Sequence, residues 1–232
     1  MLPTSTSPPA LILRQSNFTN TVSMPACFRF KKKIMSKDHE SDGSSAARKM
    51  VAVGDVGSGK TSFLMYSASG SFPMFCAPAV CGNQMVNTGG IGGTTLCMVD
   101  THHQEEYDRQ RPLAYAGADV FLLCFSVDSP DSLWNIKERW AEEMARFCPG
   151  VPAILVGCKS DLRGDERTIK ELRLAGQDLV MLEEAEAMAV RIGAVKYMEC
   201  SALTGQGVRE VLEHAAHLAS SQWESKRGCI IM

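Results

Sequence analysis

The chain has 232 residues, 45% of them hydrophobic and 22% charged, with a formal net charge of −2. This balance is typical of one folded domain with appendages, and it excludes collagen-like, low-complexity and wholly disordered chains. The longest apolar run, Val120 to Phe125, has six residues, fewer than the roughly 18 to 20 that a membrane-spanning helix needs. The nine cysteines are odd in number and include no Cys-x-x-Cys pair, which is typical of a reduced intracellular protein.

Residues 1–45 are predicted to form a flexible basic N-terminal extension. They mix Ser, Thr and Pro without helical or strand periodicity, and residues 1–37 contain six basic side chains and no acidic one. The composition is similar to that of a mitochondrial transit peptide, but four prolines interrupt any amphipathic helix. Met24 and Met35 are candidate alternative starts for translation, so whether residues 1–34 are translated is left open. The acidic balance of residues 38–232 excludes a general nucleic-acid-binding surface.

Between residues 46 and 222, short apolar runs alternate with helical patterns. The runs predict five strands, namely Met50–Val53, Thr95–Val99, Val120–Ser126, Ala153–Val156 and Tyr197–Cys200. Apolar residues at helical spacing predict helices over Ser132–Phe147 and Val208–Ala219. This alternation predicts an α/β domain in which helices cover both faces of a mostly parallel sheet. Ligands of such sheets bind beyond the carboxyl ends of the strands.

A phosphate-loop motif follows the first predicted strand directly. The run Gly54-Asp55-Val56-Gly57-Ser58-Gly59-Lys60-Thr61 matches Gly-x4-Gly-Lys-Ser/Thr at every fixed position. Between a strand and a helix, the backbone N–H groups of such a loop converge on phosphate oxygens. Lys60 would add a positive charge at the terminal phosphates, and the Thr61 hydroxyl would ligate Mg²⁺. The predicted phosphate-binding residues are Gly54, Gly57, Ser58, Gly59, Lys60, Thr61 and Ser62.

Two later segments fit the recognition of guanine. Lys159-Ser160-Asp161 follows the fourth predicted strand, and a carboxylate there can accept hydrogen bonds from guanine N1–H and the 2-amino group, a pair that adenine does not present. The stem of Lys159 can cover the ring. Ser201-Ala202-Leu203 follows the fifth predicted strand, where a backbone N–H can meet the guanine oxygen. Each segment alone is weak, because charged residues are common on loops.

The order of these motifs, with Asp100 at a strand end, resembles that of Ras-like small GTPases, and most closely the Rho family. The similarity extends over about residues 48–232. It includes Gln104-Glu105-Glu106-Tyr107-Asp108-Arg109, Arg111-Pro112-Leu113, Cys124-Phe125-Ser126-Val127-Asp128-Ser129-Pro130 and Glu199-Cys200-Ser201-Ala202-Leu203-Thr204. Such long matches are specific. The segment Asp165–Leu182 looks like the helical insert that distinguishes Rho proteins from other Ras-like proteins.

The resemblance implies a three-layer phosphate-loop fold with a mostly parallel six-stranded sheet. It implies GTP or GDP and Mg²⁺ as cofactors, with Thr61 and, through water, Asp100 holding the metal. Lys60 and Gln104 are the implied catalytic residues, Gln104 by orienting the attacking water. Phe72, with Pro73, fits the first switch and is included among the nucleotide-binding residues. Exchange factors, activating proteins, effectors and cytoskeletal pathways are implied as partners.

Several residues depart from the family pattern near the phosphates. Val56 replaces a glycine that leaves room for the attacking water and a partner's arginine. His102 and His103 stand in place of Ala-Gly, and His103 replaces a glycine whose backbone approaches the terminal phosphate. Ala79 replaces a Mg²⁺-binding threonine and cannot ligate. These changes predict slow hydrolysis and impaired switching.

Two further departures concern the base and the sheet. Cys158 replaces the Asn or Thr of the guanine-recognition motif, and a thiol is a weak donor and acceptor, so a lower nucleotide affinity is expected. The glycine-rich stretch 81–94 lacks the alternation expected of the family's second strand. A zinc site at His102, His103 and Cys97 is disfavoured because no four-ligand spacing is present.

The predicted C-terminal tail, residues 223–232, ends in Cys229-Ile230-Ile231-Met232. This is a prenylation signal at Cys229 whose final Met favours a farnesyl group. One lipid gives marginal membrane binding, so a second signal is expected. The basic residues 29–33 of the N-terminal extension are a candidate for this second signal. An equal alternative is that they form only a solvated basic segment without a membrane role. We therefore expect the inner leaflet of the plasma membrane, on its cytoplasmic face, and a cytosolic pool.

The sequence thus predicts a membrane-anchored Rho-like signalling protein that binds guanine nucleotide and hydrolyses GTP slowly. The alternative is a degenerate Rho-like scaffold that holds nucleotide without switching or does not bind it. Val56, Ala79 and His103 favour the scaffold, whereas Lys60 and Asp161 favour the enzyme. An ATP-using enzyme is disfavoured by Asp161. The effectors, the pathway and the hydrolysis rate cannot be read from the sequence.

Overall fold

The computed structural model describes residues 47–73, 84–87, 94–101 and 111–228, with side chains described as far as residue 221. Within these ranges lies one six-stranded sheet. Its strands are β1 (Arg48–Val53), β2 (Gln84–Asn87), β3 (Thr95–Asp100), β4 (Val120–Ser126), β5 (Ala153–Cys158) and β6 (Lys196–Cys200). Their spatial order is β2-β3-β1-β4-β5-β6. β2 pairs antiparallel with β3, and every other pairing is parallel.

The central strands are buried on both faces, as their continuous apolar runs predict. Every residue of β4 and β5 is buried, and Met50–Val53 of β1 are fully enclosed. All five predicted strands are present, each within two residues of its expected ends. The parallel strands end at one edge of the sheet, where the predicted site residues follow them.

The described helices form two layers around the sheet. They are α1 (Lys60–Ser69), α2 (Arg111–Tyr115), α3 (Pro130–Asn135), α4 (Glu142–Phe147), α5 (Glu166–Leu174), α6 (Leu182–Arg191) and α7 (Val208–Gly228). One apolar core packs α1 and α7 against the sheet. The other packs α2, α3 and α6 against the opposite face, with Trp140 and Phe121 among its largest members. The predicted three-layer α/β architecture is therefore confirmed.

The helix predicted over Ser132–Phe147 contains a wide turn. Ser129 caps its start by accepting a hydrogen bond from Ser132 N, and Pro130 occupies the first turn, where its missing N–H costs nothing. Between α3 and α4, Ile136–Ala141 form a π-helical turn, in which each N–H bonds five residues back. The spacing of apolar residues does not predict such a turn. A π-helical turn takes up one residue more than an α-helical turn, and the apolar faces of α3 and α4 on either side keep their own helical spacing.

Two segments differ from the predicted pattern. A short second strand is present at Gln84–Asn87, paired with β3 from Gln84–Met98 to Asn87–Thr95. The residues of this strand lack the alternation of apolar and polar side chains that predicts a strand, and its backbone hydrogen bonds with β3 hold it in the sheet. The helical segment expected over Asp165–Leu182 ends at Leu174, and Gly176 with φ +70° follows. The chain then turns before α6 begins at Leu182.

Candidate functional site

The phosphate loop joins β1 to α1 and lies directly against β4. Gly54 has φ +146°, and a Cβ at this position would come within 2.0 Å of the Cys124 carbonyl oxygen. Gly59, with φ +93°, stands before the first residue of α1. Both positions therefore require glycine, since a side chain would meet a neighbouring strand or strain the backbone. The loop leads into the N-terminus of α1, where the free backbone N–H groups of the first turn favour an anion.

Lys60 is held inside this loop. Its ammonium donates to the carbonyl oxygens of Gly54 at 2.8 Å and Asp55 at 2.7 Å, and to Ser58 Oγ at 3.4 Å. Burial lowers the pKa of Lys60 below its ordinary value, while Asp100 and Asp55 act in the opposite direction. A buried ammonium that is already oriented by neighbouring oxygens is suited to bind a negatively charged phosphate group.

Thr61 and Asp100 meet next to the loop, as the sequence predicts. Thr61 Oγ1 donates to Asp100 Oδ2 at 2.6 Å. Asp100 Oδ1 is buried and has no hydrogen-bond partner among the described residues. A buried carboxylate oxygen without a donor is costly, and it suits a hard cation or a water bound to one. A hydroxyl and a carboxylate therefore fit Mg²⁺ at this point.

Asp55 anchors the loop to the helix layer, a role that the sequence pattern does not reveal. Its carboxylate accepts a hydrogen bond of 2.7 Å from Asn135 Nδ2 and another of 2.7 Å from Trp140 Nε1. Asp55 occupies a variable position of the phosphate-loop motif. The sequence signal for this contact is Trp140 itself, because a tryptophan buried among apolar residues needs an acceptor for its indole N–H.

Val56 follows Asp55 at the mouth of the loop. Its side chain is 68% exposed, so it lies on the solvent side of the phosphate-binding point and not within the core. The expectation that this valine narrows the space around the phosphates therefore remains a prediction of the family resemblance.

A cavity of about 200 Å³ adjoins the phosphate loop at the carboxyl ends of β5 and β6. It brings together residues from the three predicted motifs. Its lining consists of Gly59, Ser62, Phe63, Phe72, Cys158, Lys159, Asp161, Cys200, Ala202 and Leu203. The phosphate loop and the predicted base-recognition segments thus share one pocket. Its volume, together with the open loop, suits a planar base next to a phosphate chain.

Asp161, which lines this cavity, is held in place by Ser201. Ser201 Oγ donates to Asp161 Oδ1 at 2.5 Å, and Ser201 is fully buried. The Ser201 N–H already bonds the Gln206 carbonyl at 2.8 Å, so a guanine-facing donor in this segment would come from Ala202 or Leu203. Asp161 retains a second carboxylate oxygen for a ligand.

Lys159 is held in an unusual backbone conformation at the end of β5. It is the one described residue other than glycine with positive φ, at +60°, a region that costs side-chain-bearing residues energy. Its ammonium lies 3.5 Å from Asp128 Oδ1. The strained conformation sets the lysine stem along the cavity that it lines.

An ion pair and its hydrogen bonds stabilise the segment that follows Asp161. Arg163 donates from Nε and Nη2 to both carboxylate oxygens of Glu199, at 2.8 and 2.5 Å, and from Nη1 to the Val180 carbonyl. Tyr197 also donates to Glu199 at 2.5 Å. Burial alone would raise the pKa of Glu199, but the hydrogen bonds and the charge of Arg163 lower it overall. This network ties the turn after Asp161 to β6.

Several predicted site residues lie outside the described residues. They are Gln104, Ala79, His102, His103 and Cys229. Their expected roles remain predictions. Within the described part of the chain, no helix has the length and apolar character needed to cross a bilayer.

Comparison with known proteins places this geometry in a family. The model described as "Ras family" matches residues 49–221. The GTP-binding protein RHO1 of Candida albicans is 48% identical over 189 residues, which cover 80% of this chain and 96% of the relative. GTP-binding protein RHO1 of Saccharomyces cerevisiae is 49% identical over 79% of this chain and 88% of its own length. GTP-binding protein rho1 of Schizosaccharomyces pombe is 44% identical over 80% of this chain and 97% of its length.

Proposed function

Because the chain belongs to the Ras family as a Rho-type small GTPase, we propose that it binds GTP and GDP with Mg²⁺ and hydrolyses GTP slowly. We further propose that a farnesyl group at Cys229 holds it on the inner leaflet of the plasma membrane. The fold and the motifs make it a GTP hydrolase of the small GTPase type.

One observation carries the nucleotide proposal. The cavity next to the phosphate loop is lined by Gly59 and Ser62 at one end and by Asp161 and Ala202 at the other. The free oxygen of Asp161 supplies the acceptor for the N1–H and 2-amino group of guanine. Ser201 holds this carboxylate in place. An adenine base would face the same acceptor without the matching pair of donors, so the site favours guanine.

The phosphate end of the pocket supports GTP chemistry. Lys60 and the N–H groups at the start of α1 would balance the charge of the β- and γ-phosphates. Thr61 and Asp100 would hold Mg²⁺, which neutralises charge that develops on the phosphoryl group. Phosphoryl transfer depends mainly on this positioning and charge stabilisation. Gln104, which lies outside the described residues, would orient the attacking water.

Slow hydrolysis is supported by departures from the family pattern. Val56 is exposed and stands where the family has a glycine that leaves room for the attacking water and an activating protein's arginine. Ala79 and His103 replace residues that the family uses next to the terminal phosphate. Each change affects the transition state more than the bound ground state, so nucleotide binding is retained and turnover is reduced.

The membrane proposal depends on the C-terminal sequence. Cys229 stands fourth from the end, followed by two isoleucines and Met. Incubation with farnesyl transferase and radiolabelled farnesyl diphosphate should label the chain, and Cys229→Ser should abolish the label. Absence of label in the unchanged chain would contradict this part of the proposal. The cytosolic pool is then measured as the fraction of labelled protein that does not sediment with anionic vesicles.

The scaffold alternative is a second candidate because of two departures from the family pattern. Cys158 lines the base cavity where the family places an amide or hydroxyl, and the exposed Val56 replaces a glycine of the phosphate loop. If these changes abolish binding, the chain would act through its surface alone.

The nucleotide content of the purified protein tests the proposal. The protein is isolated in Mg²⁺ buffer, denatured, and its released nucleotides are separated by chromatography. We expect GDP or GTP at close to one per chain, lost in Lys60→Ala but retained in the matched control Lys196→Ala, whose lysine is exposed. Bound GTP would indicate that catalysis is slow, and bound GDP that it proceeds. An empty site at millimolar nucleotide, or binding displaced by ATP, would overturn the proposal.

A further inference from the structure

Three buried thiols lie together on one face of the sheet. Cys124 belongs to β4, Cys158 is the last residue of β5, and Cys200 is the last residue of β6. They are 0%, 3% and 1% exposed, and all three belong to the core between the sheet and helices α1 and α7. All three are free cysteines.

The register of the strands distinguishes one pair among them. Cys158 stands directly opposite Cys200 in the β5–β6 ladder, whereas Cys124 is opposite Val156, two residues before Cys158. Neighbouring strands lie about 4.8 Å apart, within the roughly 4.4 to 6.8 Å between Cα atoms that a disulfide spans. A diagonal pair is about 7 to 8 Å apart. The backbone thus favours a Cys158–Cys200 bridge over a Cys124–Cys158 bridge.

This pair lies in the nucleotide pocket. Cys158 and Cys200 both line the cavity that holds Asp161 and Lys159. The phosphate loop packs on Cys158, because a Cβ on Gly59 would come within 2.9 Å of Cys158 Cβ and 3.5 Å of its sulfur. A change at this sulfur is therefore transmitted directly to the start of α1.

The surroundings of Cys158 favour its thiolate. Hydrogen bonds from the thiols of Cys124 and Cys200 lower the pKa of Cys158 below its ordinary value; burial opposes this shift, and the charges of Lys60 and Lys159 add to it. The same contacts raise the pKa values of Cys124 and Cys200. Thiolates are the nucleophilic form of cysteine.

We propose that Cys158 and Cys200 form a hydroperoxide-sensitive thiol pair that closes to a disulfide when the nucleotide pocket is empty. The proposal rests on the proposed function for the identity of the molecule that protects the pair. The chemistry of the pair itself requires only the cavity, the register and a hydroperoxide as oxidant.

Two steps account for all atoms and electrons. The Cys158 thiolate attacks a peroxide oxygen, so an S–O bond forms, the O–O bond breaks, and the alkoxide or hydroxide leaves with the proton that the thiol released. Cys158 is then a sulfenic acid. Cys200 attacks this sulfur, so the S–S bond forms, the S–O bond breaks, and hydroxide leaves with the Cys200 proton as water. The two thiols lose two electrons, which reduce one hydroperoxide to an alcohol, or to water from hydrogen peroxide, and water.

Oxidation would regulate nucleotide loading. Drawing the Cys158 sulfur toward Cys200 would move a side chain on which Gly59 of the phosphate loop packs, and would join two strand ends that line the base cavity. Bound guanine nucleotide would in turn cover both thiols. The bridge would therefore form in the empty protein, prevent reloading, and be reversed by a dithiol reductant.

Peptide mapping of the full chain tests the pair. Protein stripped of nucleotide with chelator is treated with hydrogen peroxide, blocked with an alkylating agent and digested with trypsin without reduction. The expected product joins peptides Phe147–Lys159 and Tyr197–Arg209 with the loss of two hydrogens. Because the first peptide also contains Cys148, the experiment is carried out in Cys148→Ser, a matched variant whose altered thiol lies on the other face of the sheet.

Loading with GDP provides the second arm. At about 100 times the Kd of GDP, only the free fraction reacts, so crosslinking should fall on the order of 100-fold, and dithiothreitol should restore GDP binding to the oxidised protein. A bridge to Cys124, or no bridge while peroxide still blocks GDP binding, would overturn the proposal. Crosslinking that GDP does not slow in protein that binds GDP would also overturn it. Failure of the reduced protein to bind any guanine nucleotide would instead refute the proposed function, because the first arm is measured without nucleotide.

Discussion

The indole N–H of Trp140 donates a hydrogen bond of 2.7 Å to Oδ1 of Asp55, joining residues that are 85 positions apart in the chain. Trp140 is 1% exposed, and the guanidinium of Arg111 lies 4.9 Å from the centre of its ring. The same arginine forms an ion pair of 2.8 Å with Glu143. The helix layer thus supports the phosphate loop through this indole, together with the amide of Asn135, and not only the strand that precedes the loop.

Replacing Trp140 with Phe should loosen the phosphate loop. The substitution keeps an aromatic ring in the core but leaves Asp55 Oδ1 without its donor. We expect the free energy of unfolding to fall by about 2 kcal/mol and GDP to dissociate several-fold faster. Chemical denaturation and the release of a fluorescent GDP analogue measure these effects. Trp134→Phe, which changes a 54% exposed tryptophan in α3, is the control, and equal effects in both variants would contradict the role of the hydrogen bond.

Replacing Val56 with Gly should accelerate GTP hydrolysis. The Val56 side chain is exposed, and the family resemblance predicts that it takes up space needed by the attacking water. We expect a rise in the single-turnover rate on the order of tenfold, equivalent to about 1.4 kcal/mol of barrier, with little change in GDP affinity. Phosphate release from preloaded GTP is the measurement. Val195→Gly, which alters another exposed valine, should have no such effect. An unchanged rate in Val56→Gly would place the limitation elsewhere.

Replacing Ser201 with Ala should weaken guanine binding through Asp161. The variant removes the 2.5 Å hydrogen bond to Asp161 Oδ1 and the acceptor for Thr204 N at 3.1 Å. We expect the Kd for GDP to rise about tenfold, the equivalent of about 1.4 kcal/mol, while binding of inorganic triphosphate is unaffected. Titration calorimetry separates the two. Ser221→Ala, on the exposed side of α7, controls for the loss of a hydroxyl, and parallel losses for both ligands would contradict a role limited to the base.

Replacing Glu199 with Gln should reduce stability in a pH-dependent manner. The pKa of Glu199 in the folded protein is below its ordinary value, so the ionised form stabilises the fold above the unfolded pKa of about 4.3, and this contribution is lost as pH falls through the folded value. We expect wild type to exceed the variant by about 1 kcal/mol at neutral pH, because the pair is partly exposed.

This difference should shrink as the pH is lowered below the unfolded pKa. Urea denaturation at several pH values measures it. Glu186→Gln, at an exposed position of α6, serves as the control. A difference that stays constant with pH would show that the lost packing, and not the carboxylate charge, is responsible.

The sequence predicted the fold well because its signals are local and strong. Continuous apolar runs identified β1 and β4 almost to the residue, and the phosphate-loop pattern fixed the turn between β1 and α1. β2 was implied by the six-stranded sheet of the family but not by its own residues, because these four residues depend on pairing with β3 and have no pattern of their own. The boundary of α5 was misplaced for a related reason, since Gly176 with φ +70° reverses the chain within a polar segment.

The sequence predicted the residues that bind the ligand but not the residues that hold them in position. Lys60, Thr61 and Asp161 follow from spacing, since phosphate and guanine impose fixed chemistry on the residues that meet them. The contacts of Asp55 with Asn135 and of Arg163 with Glu199 join distant parts of the chain. Such pairs depend on tertiary packing. The thiol pair Cys158 and Cys200 likewise becomes visible only when the β5–β6 register is known.

The π-helical turn Ile136–Ala141 determines how Asp55 obtains its two donors. Asn135 and Trp140 are five residues apart, and in a regular α-helix such residues point about 140° away from each other. The wider turn brings them to the same side, where both reach one carboxylate. The wide turn is therefore as important as the identity of the two donors, because a regular α-helix over the same residues would separate them. Deleting Lys137 would place Asn135 and Trp140 four positions apart, a spacing that a regular α-helix brings to one face. Five residues in a π-helical turn thus do the work of four in an α-helix.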